Sequence, residues 1–118
     1  MTPRQPYAIT SRVFLLAAQD LLAQDDLLQA PKKGWGAAAQ MVKAVADQKG
    51  WQHNGHAYLF RTLRRLVEET EDNQIDTLFH VANHLHVNFY ENIMDRELVE
   101  VGLVGVRELV EKLEQLLR

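Results

Sequence analysis

The chain has 118 residues, of which 47% are hydrophobic and 25% charged, a composition typical of a single soluble domain. Its formal net charge of −3 gives no overall positive field of the kind that drives non-specific binding to nucleic acid. There is no cysteine, which excludes disulfides and thiolate metal sites.

The N-terminal segment MTPRQPYAITS has no apolar core of the kind that a secretory signal carries. We expect residues 1–9 to be a flexible segment ahead of one helical domain spanning residues 10–118. Polar or charged residues interrupt each apolar run well before the ~18 residues that a membrane span needs. The sequence therefore favours a cytoplasmic protein that does not associate with a membrane.

Apolar residues recur at helical spacing along nearly the whole chain, and no stretch alternates as a strand would. The first predicted helix begins with a cap at Thr10 or Ser11. Its spacing predicts an inner face composed of Val13, Leu16, Ala17 and Leu21.

The second predicted helix begins at Asp26, bends at Pro31 and ends before Gly50; a start nearer Pro31 is the alternative. After a loop with a turn at Asn54-Gly55, the third helix buries Leu59, Phe60, Leu63, Leu66 and Val67.

Asn73 and Asp95 are the predicted caps of the fourth and fifth helices. Gly102 and Gly105 lie near one face of the fifth helix, where each costs up to ~1 kcal/mol relative to alanine. We expect another helix to approach closely there, with the Ala-rich half of the second helix as the partner. The pattern predicts an all-α fold, an antiparallel bundle of about five helices.

The fourth helix contains the unusually polar stretch NHLHVNFYEN, residues 83–92. With Ile75 as origin and about 100° per residue, His86 lies on the apolar face. Tyr90 and Asn83 flank it and, with Asp20 and Gln24, are its candidate hydrogen-bond partners. The opposite face is predicted to hold His80, His84, Asn88 and Glu91. His86 is then either a core histidine with its hydrogen bonds made inside the protein or a residue that binds a ligand. The opposite face of the helix is a solvated surface, a dimer interface or the wall of a ligand-binding cleft.

A basic turn, Arg61, Arg64 and Arg65, lies on the outer face of the third helix. Arg64 and Arg65 are each followed by a glutamate four residues later, which indicates a self-neutralised surface. The alternative is a phosphate or RNA contact, to which Lys33 and Trp35 would add a cation and a stacking face. His53, His56, His80 and His84 mimic metal-ligand spacing, but without cysteine we expect neither a metal site nor a cofactor.

The runs DDLLQAPKKGWGAAAQMVKAVA, GWQHNGH and LHVNFYEN resemble the PaREP (paralogous archaeal repeat) family and its bacterial relatives. The resemblance extends from about Ser11 to Leu117. The Pro31-Lys32 pair departs from the family pattern at the start of the second helix. That family resembles the wider HEPN group of helical bundles, many of which are dimeric ribonucleases or partners of nucleotidyltransferases.

The resemblance to HEPN ribonucleases implies an arginine, a histidine five residues later and often a tyrosine two further on. If Tyr90 is that tyrosine, Asn83 and Asn88 stand where the arginine and the histidine are expected. Asparagine neither acts as a general base nor carries a positive charge, so no catalytic residue is assigned.

The resulting hypothesis is a catalytically degenerate, HEPN-like module that binds a nucleotide or RNA, forms a homodimer and serves as partner to another protein. Its predicted ligand-binding residues are Asn83, His84, His86, Asn88, Tyr90, Glu91, Lys33 and Arg65. Two alternatives remain open. One is a metal-independent ribonuclease that uses His84 or His86 with Tyr90, and the other is a purely structural oligomerising protein.

Overall fold

The computed structural model describes residues 6–52, 54–91 and 94–117, without the side chains of residues 56 and 89–91. Five helices account for most of these residues, and the described part of the chain contains no strand. The helices are α1 (Pro6–Ala23), α2 (Gln29–Lys49), α3 (His56–Thr70), α4 (Asn73–Glu91) and α5 (Arg96–Gln115). The predicted all-α bundle is confirmed.

α2 is the central helix, and it packs against all four others. Its alanines are buried because their small side chains let neighbouring helices approach closely; Ala30, Ala37, Ala38, Ala44 and Ala46 are fully enclosed. Around α2, the core contains Leu63 and Leu66 from α3, Phe79 and Leu85 from α4, and Val106 and Leu109 from α5. No helix in the described part of the chain combines the length and apolar character needed to cross a membrane.

The helix ends follow the predicted signals only in part. Gly50 ends α2 with φ 74°, and the Asp95 carboxylate accepts a hydrogen bond from Leu98 N–H, both as predicted. α2 begins at Gln29, so the predicted start at Asp26 is wrong, although the Asp26 carboxylate does cap it by accepting from Gln29 N–H at 2.9 Å. Pro31 consequently lies in the first turn, where a helix tolerates its missing N–H.

α1 packs with a different face from the one predicted. It begins at Pro6 instead of at the predicted cap, and its buried residues are Ser11, Leu15 and Ala18. The Ser11 hydroxyl donates to Ala37 O of α2 at 2.6 Å, which fixes this orientation. Val13 and Leu16, predicted to face inward, are exposed. The helix is apolar on two faces, and spacing alone cannot tell which of them the core covers.

The close approach predicted at the α5 glycines exists, but its partner is α4 and not α2. A Cβ at Gly102 would lie 2.6 Å from Leu85 Cδ2 and 3.1 Å from Leu85 Cγ, whereas one at Gly105 would lie 3.1 Å from Val81 Cγ1. Leu85 is fully buried and Val81 only half-buried. The first glycine is therefore the more sterically constrained.

Gly102→Ala is expected to lower the free energy of unfolding by about 1–2 kcal/mol, because overpacking against Leu85 outweighs the gain in helix propensity. Gly105→Ala is the matched control and should be within about 0.5 kcal/mol of the wild type, because half-buried Val81 can shift. Urea unfolding followed by circular dichroism measures both. Equal stability of the two variants would contradict this account of the contact.

Candidate functional site

His86 of α4 lies on the inner side of the bundle, as its helical position predicts. Its half-buried ring is 4.9 Å from the Trp35 ring of α2, at an interplanar angle of 33°. Trp35 in turn lies 5.3 Å from the Phe79 ring, so His86 extends an aromatic cluster of the core. Asn83 is half-buried, and the predicted partner Tyr90 lies outside the described side chains.

Asn88 is fully buried, with 0% exposure, so the prediction that it faces outward is wrong. Its side-chain amide donates to Leu27 O in the α1–α2 connection at 3.3 Å. Its side-chain oxygen accepts from Met94 N–H in the α4–α5 connection at 2.6 Å. Two connecting segments therefore cover the last turn of α4 on the side that periodicity assigns to solvent.

The other predicted site residues whose side chains are described do not converge. His84 is exposed on α4, while the Glu91 side chain lies outside the described residues. Lys33 Nζ lies 4.5 Å from the Phe14 ring, at the contact of α1 with α2. Arg65 belongs to α3 and lines a different surface, described next. The predicted cluster is thus distributed over separate parts of the molecule.

The α2–α3 connection builds an aromatic and cationic surface. Gly50 adopts a left-handed conformation, and Trp51 N–H then donates to Ala46 O at 2.8 Å, which reverses the chain direction. Trp51 lies half-buried beside α3, where the Arg65 guanidinium is 3.7 Å from the centre of its ring. One turn earlier on α3, the Arg61 guanidinium is 5.0 Å from the Tyr58 ring.

These side chains line an open cleft of about 330 Å³, here called the Trp51 cleft. Its lining consists of Gly50, Trp51, Gln52, Tyr58, Arg61, Thr62 and Arg65. A second cation lies near the same ring: Lys49 Nζ is 5.2 Å from the centre of the Trp51 ring. Lys49 Nζ also donates a hydrogen bond to the Glu69 carboxylate at 3.0 Å. The described lining includes no carboxylate, so the cleft presents positive charge beside aromatic rings.

Arg64 and Arg65 do not form the ion pairs predicted with the glutamates four residues later, although all four side chains are exposed on α3. Glu69 pairs with Lys49 of α2, which leaves Arg65 to stack on Trp51. Among the described residues, Arg64 makes no ion pair with Glu68; it lines a second cleft of about 290 Å³ between α3 and α4, together with Phe60, Val67, Asp76 and His80. Arginines therefore line clefts on both sides of α3.

Sequence reasoning identified Arg65 but combined it with Trp35, which is buried in the core. The aromatic partner is Trp51. The signal that could have identified it is the order of residues: a glycine that ends a helix, followed at once by tryptophan, then by arginines one turn apart on the next helix. Arginine guanidinium groups bind phosphate oxygens, and a flat ring offers a face on which a nucleobase stacks.

A family model described as the archaeal PaREP1/PaREP8 family matches residues 7–110. No curated protein matches the chain. The crystal structure of a protein from Sulfolobus solfataricus aligns with a TM-score of 0.83 at 24% sequence identity, covering 92% of this chain and 97% of that chain. At that identity the likeness concerns the fold. The family match extends over most of the sequence, and the chain belongs to the archaeal PaREP1/PaREP8 family.

Proposed function

We propose that this protein is a non-catalytic binding module for the phosphate and base of a nucleotide, taken either as a mononucleotide or within single-stranded RNA. The observation that carries the proposal is the pairing of arginine with aromatic rings in the Trp51 cleft, with the Arg65 guanidinium 3.7 Å from the Trp51 ring. This position differs from the α4 row that the sequence favoured.

The chemistry of the cleft suits both parts of a nucleotide. Arg61 and Arg65 are exposed, and each retains N–H donors for phosphate oxygens while its planar group lies over a ring. Trp51 and Tyr58 are half-buried, so a base can stack on them at little entropic cost. Arg64, beside the neighbouring cleft, is placed to contact a further phosphate of a longer strand.

The environment of Asn88 supports binding over cleavage. The resemblance to HEPN ribonucleases places Asn88 at the position of their histidine, but its amide connects Leu27 to Met94 inside the protein. A fully buried amide that holds two connections together is not available to an RNA strand. The proposal therefore assigns no catalytic step to α4.

Fluorescence anisotropy with a labelled single-stranded RNA of about ten nucleotides tests the proposal. We expect saturable binding that weakens as salt is raised, because phosphate binding releases counterions. Arg65→Gln should weaken binding about 5- to 10-fold and flatten the salt dependence. His84→Ala, an exposed change on α4, is the matched control and should bind like the wild type.

Two further arms identify the ligand and the reaction. A mononucleotide that competes as well as the strand would restrict the ligand to a single nucleotide, whereas weaker competition would indicate contacts along the strand. Electrophoresis of the RNA after incubation in chelator is expected to show intact strands. Cleavage that disappears in His84→Ala or His86→Ala would contradict a non-catalytic role, and binding that Arg65→Gln leaves unchanged would contradict the assignment to the Trp51 cleft.

A further inference from the structure

Thr62 of α3 differs from the other buried polar residues in the described part of the chain. These residues are Ser11, Thr62 and Asn88, which are 0%, 1% and 0% exposed. The Ser11 hydroxyl donates to Ala37 O, and the Asn88 side chain both donates and accepts. No group within residues 6–52, 54–91 or 94–117 forms a hydrogen bond with the Thr62 hydroxyl. Buried polar groups are nearly always hydrogen-bonded, so this hydroxyl requires an explanation.

The Thr62 hydroxyl also lacks the bond that threonine commonly makes inside a helix. Such a hydroxyl often donates to the backbone carbonyl oxygen four residues earlier. Thr70, on the same helix, does so to Leu66 O at 2.6 Å. Among the described residues, Thr62 makes no corresponding bond to Tyr58 O. Its hydroxyl therefore keeps one donor and its acceptor sites for another group.

Thr62 lies at the floor of the Trp51 cleft. It belongs to the cleft lining and follows Tyr58 by one turn of α3. The lining is graded in depth, because its two arginines are exposed, its two aromatic residues are half-buried and Thr62 is buried. Thr62 therefore carries the most buried polar side chain of the lining.

A nucleotide fits this order of depth. Its phosphate stays with the exposed arginines, and its base stacks on the half-buried rings. The polar edge of the stacked base then lies toward the floor of the cleft. We propose that the Thr62 hydroxyl forms a hydrogen bond with that edge and so determines which base the cleft prefers. This inference rests on the proposed function, to which it adds base specificity.

The other polar groups of the lining are less suited to this role. Gln52 is exposed, and the guanidinium groups of Arg61 and Arg65 lie over aromatic rings, where they contact a phosphate whatever its base. One neutral hydrogen bond changes an equilibrium constant by about 3- to 10-fold. We expect the base preference to be of that size.

Anisotropy titrations with oligoadenylate, oligocytidylate and oligouridylate of about ten nucleotides test the base contact. We expect the wild type to bind one strand most tightly, and Thr62→Val to lose about 3- to 10-fold on that strand and less on the other two. Thr62→Ser retains a hydroxyl and should retain the preference. Equal affinity of the wild type for all three strands, or equal losses on all three in Thr62→Val, would overturn the proposal.

Thermal unfolding without RNA gives a readout that a purely structural role would not produce. Because Thr62→Val removes a buried hydroxyl that has no partner, we expect its melting temperature to rise by about 2–5 °C even though its binding weakens. Thr70→Val is the matched control outside the cleft. It loses the bond to Leu66 O, so its melting temperature should fall while its binding and base preference stay unchanged.

The outcomes separate this inference from the proposed function. A fall in the melting temperature of Thr62→Val would show that the hydroxyl has a partner inside the protein and would overturn the inference. RNA binding that is the same in the wild type and in Thr62→Val would refute the base contact alone. A wild type that binds none of the three strands would refute the proposed function and the inference together.

Discussion

Asn88→Ala is expected to lower the free energy of unfolding by about 2–4 kcal/mol, among the largest effects of a single substitution in this chain. The substitution removes the hydrogen bond that the side chain donates to Leu27 O and the one that it accepts from Met94 N–H. Asn88 is fully buried and Leu27 and Met94 are half-buried, so these backbone groups would lose a hydrogen-bond partner in a site that is largely shielded from water. The α1–α2 and α4–α5 connections would both be loosened.

Two matched variants make this result specific. Asn88→Asp keeps an acceptor for Met94 N–H but loses the donor to Leu27 O and buries a carboxylate, so we expect it to destabilise at least as much as alanine. His84→Ala, on the exposed side of the same helix, should change stability by less than about 0.5 kcal/mol. Urea unfolding measures all three, and a loss below about 0.5 kcal/mol in Asn88→Ala would contradict a structural role.

Trp51→Ala is expected to weaken RNA binding by about 10- to 100-fold, because base stacking on an aromatic ring contributes about 1–3 kcal/mol. The same substitution removes the ring over which the Arg65 guanidinium lies, so the arginine also loses its fixed position. Trp51→Phe retains a stacking face and should recover part of the affinity.

The salt dependence separates stacking from charge. Trp51→Ala should leave the slope of affinity against salt close to that of the wild type, because it removes no phosphate-binding cation. Arg65→Gln should reduce that slope by about one. Anisotropy titrations at several salt concentrations measure both variants, and equal affinity of Trp51→Ala and wild type would contradict base stacking in the Trp51 cleft.

Local signals in the sequence predict most of this fold. Helical spacing identifies all five helices, and Gly50 and Asp95 end α2 and begin α5 as their residue types indicate. Helix caps depend on residues that are close together in the sequence, so the sequence alone is enough to predict them.

The failures occur where distant segments meet. α1 is apolar on two faces, and the face that packs is the one on which the Ser11 hydroxyl reaches Ala37 O of α2. Asn88 is buried by two connections that lie 61 and 6 residues away in sequence. Periodicity within one helix contains no information about either contact.

The arrangement of the Trp51 cleft could not be predicted from the sequence for a related reason. Arg65 was identified from local charge, but its contact with Trp51 depends on the chain reversal at Gly50. The predicted α4 cluster combined residues that share a helix, whereas the Trp51 cleft combines α3 with the connection that precedes it. The residues of the Trp51 cleft come together only in the folded chain, and residue spacing within one helix cannot predict that contact.

The most direct test of the proposed function is a nuclear magnetic resonance titration of the tryptophan indole N–H signals with single-stranded RNA. The chain has two tryptophans, Trp35 buried against His86 and Trp51 in the cleft. We predict that the Trp51 indole signal shifts progressively to saturation while the Trp35 signal stays in place. A titration in which the Trp51 signal does not move, or in which the Trp35 signal moves instead, would contradict ligand binding in the Trp51 cleft.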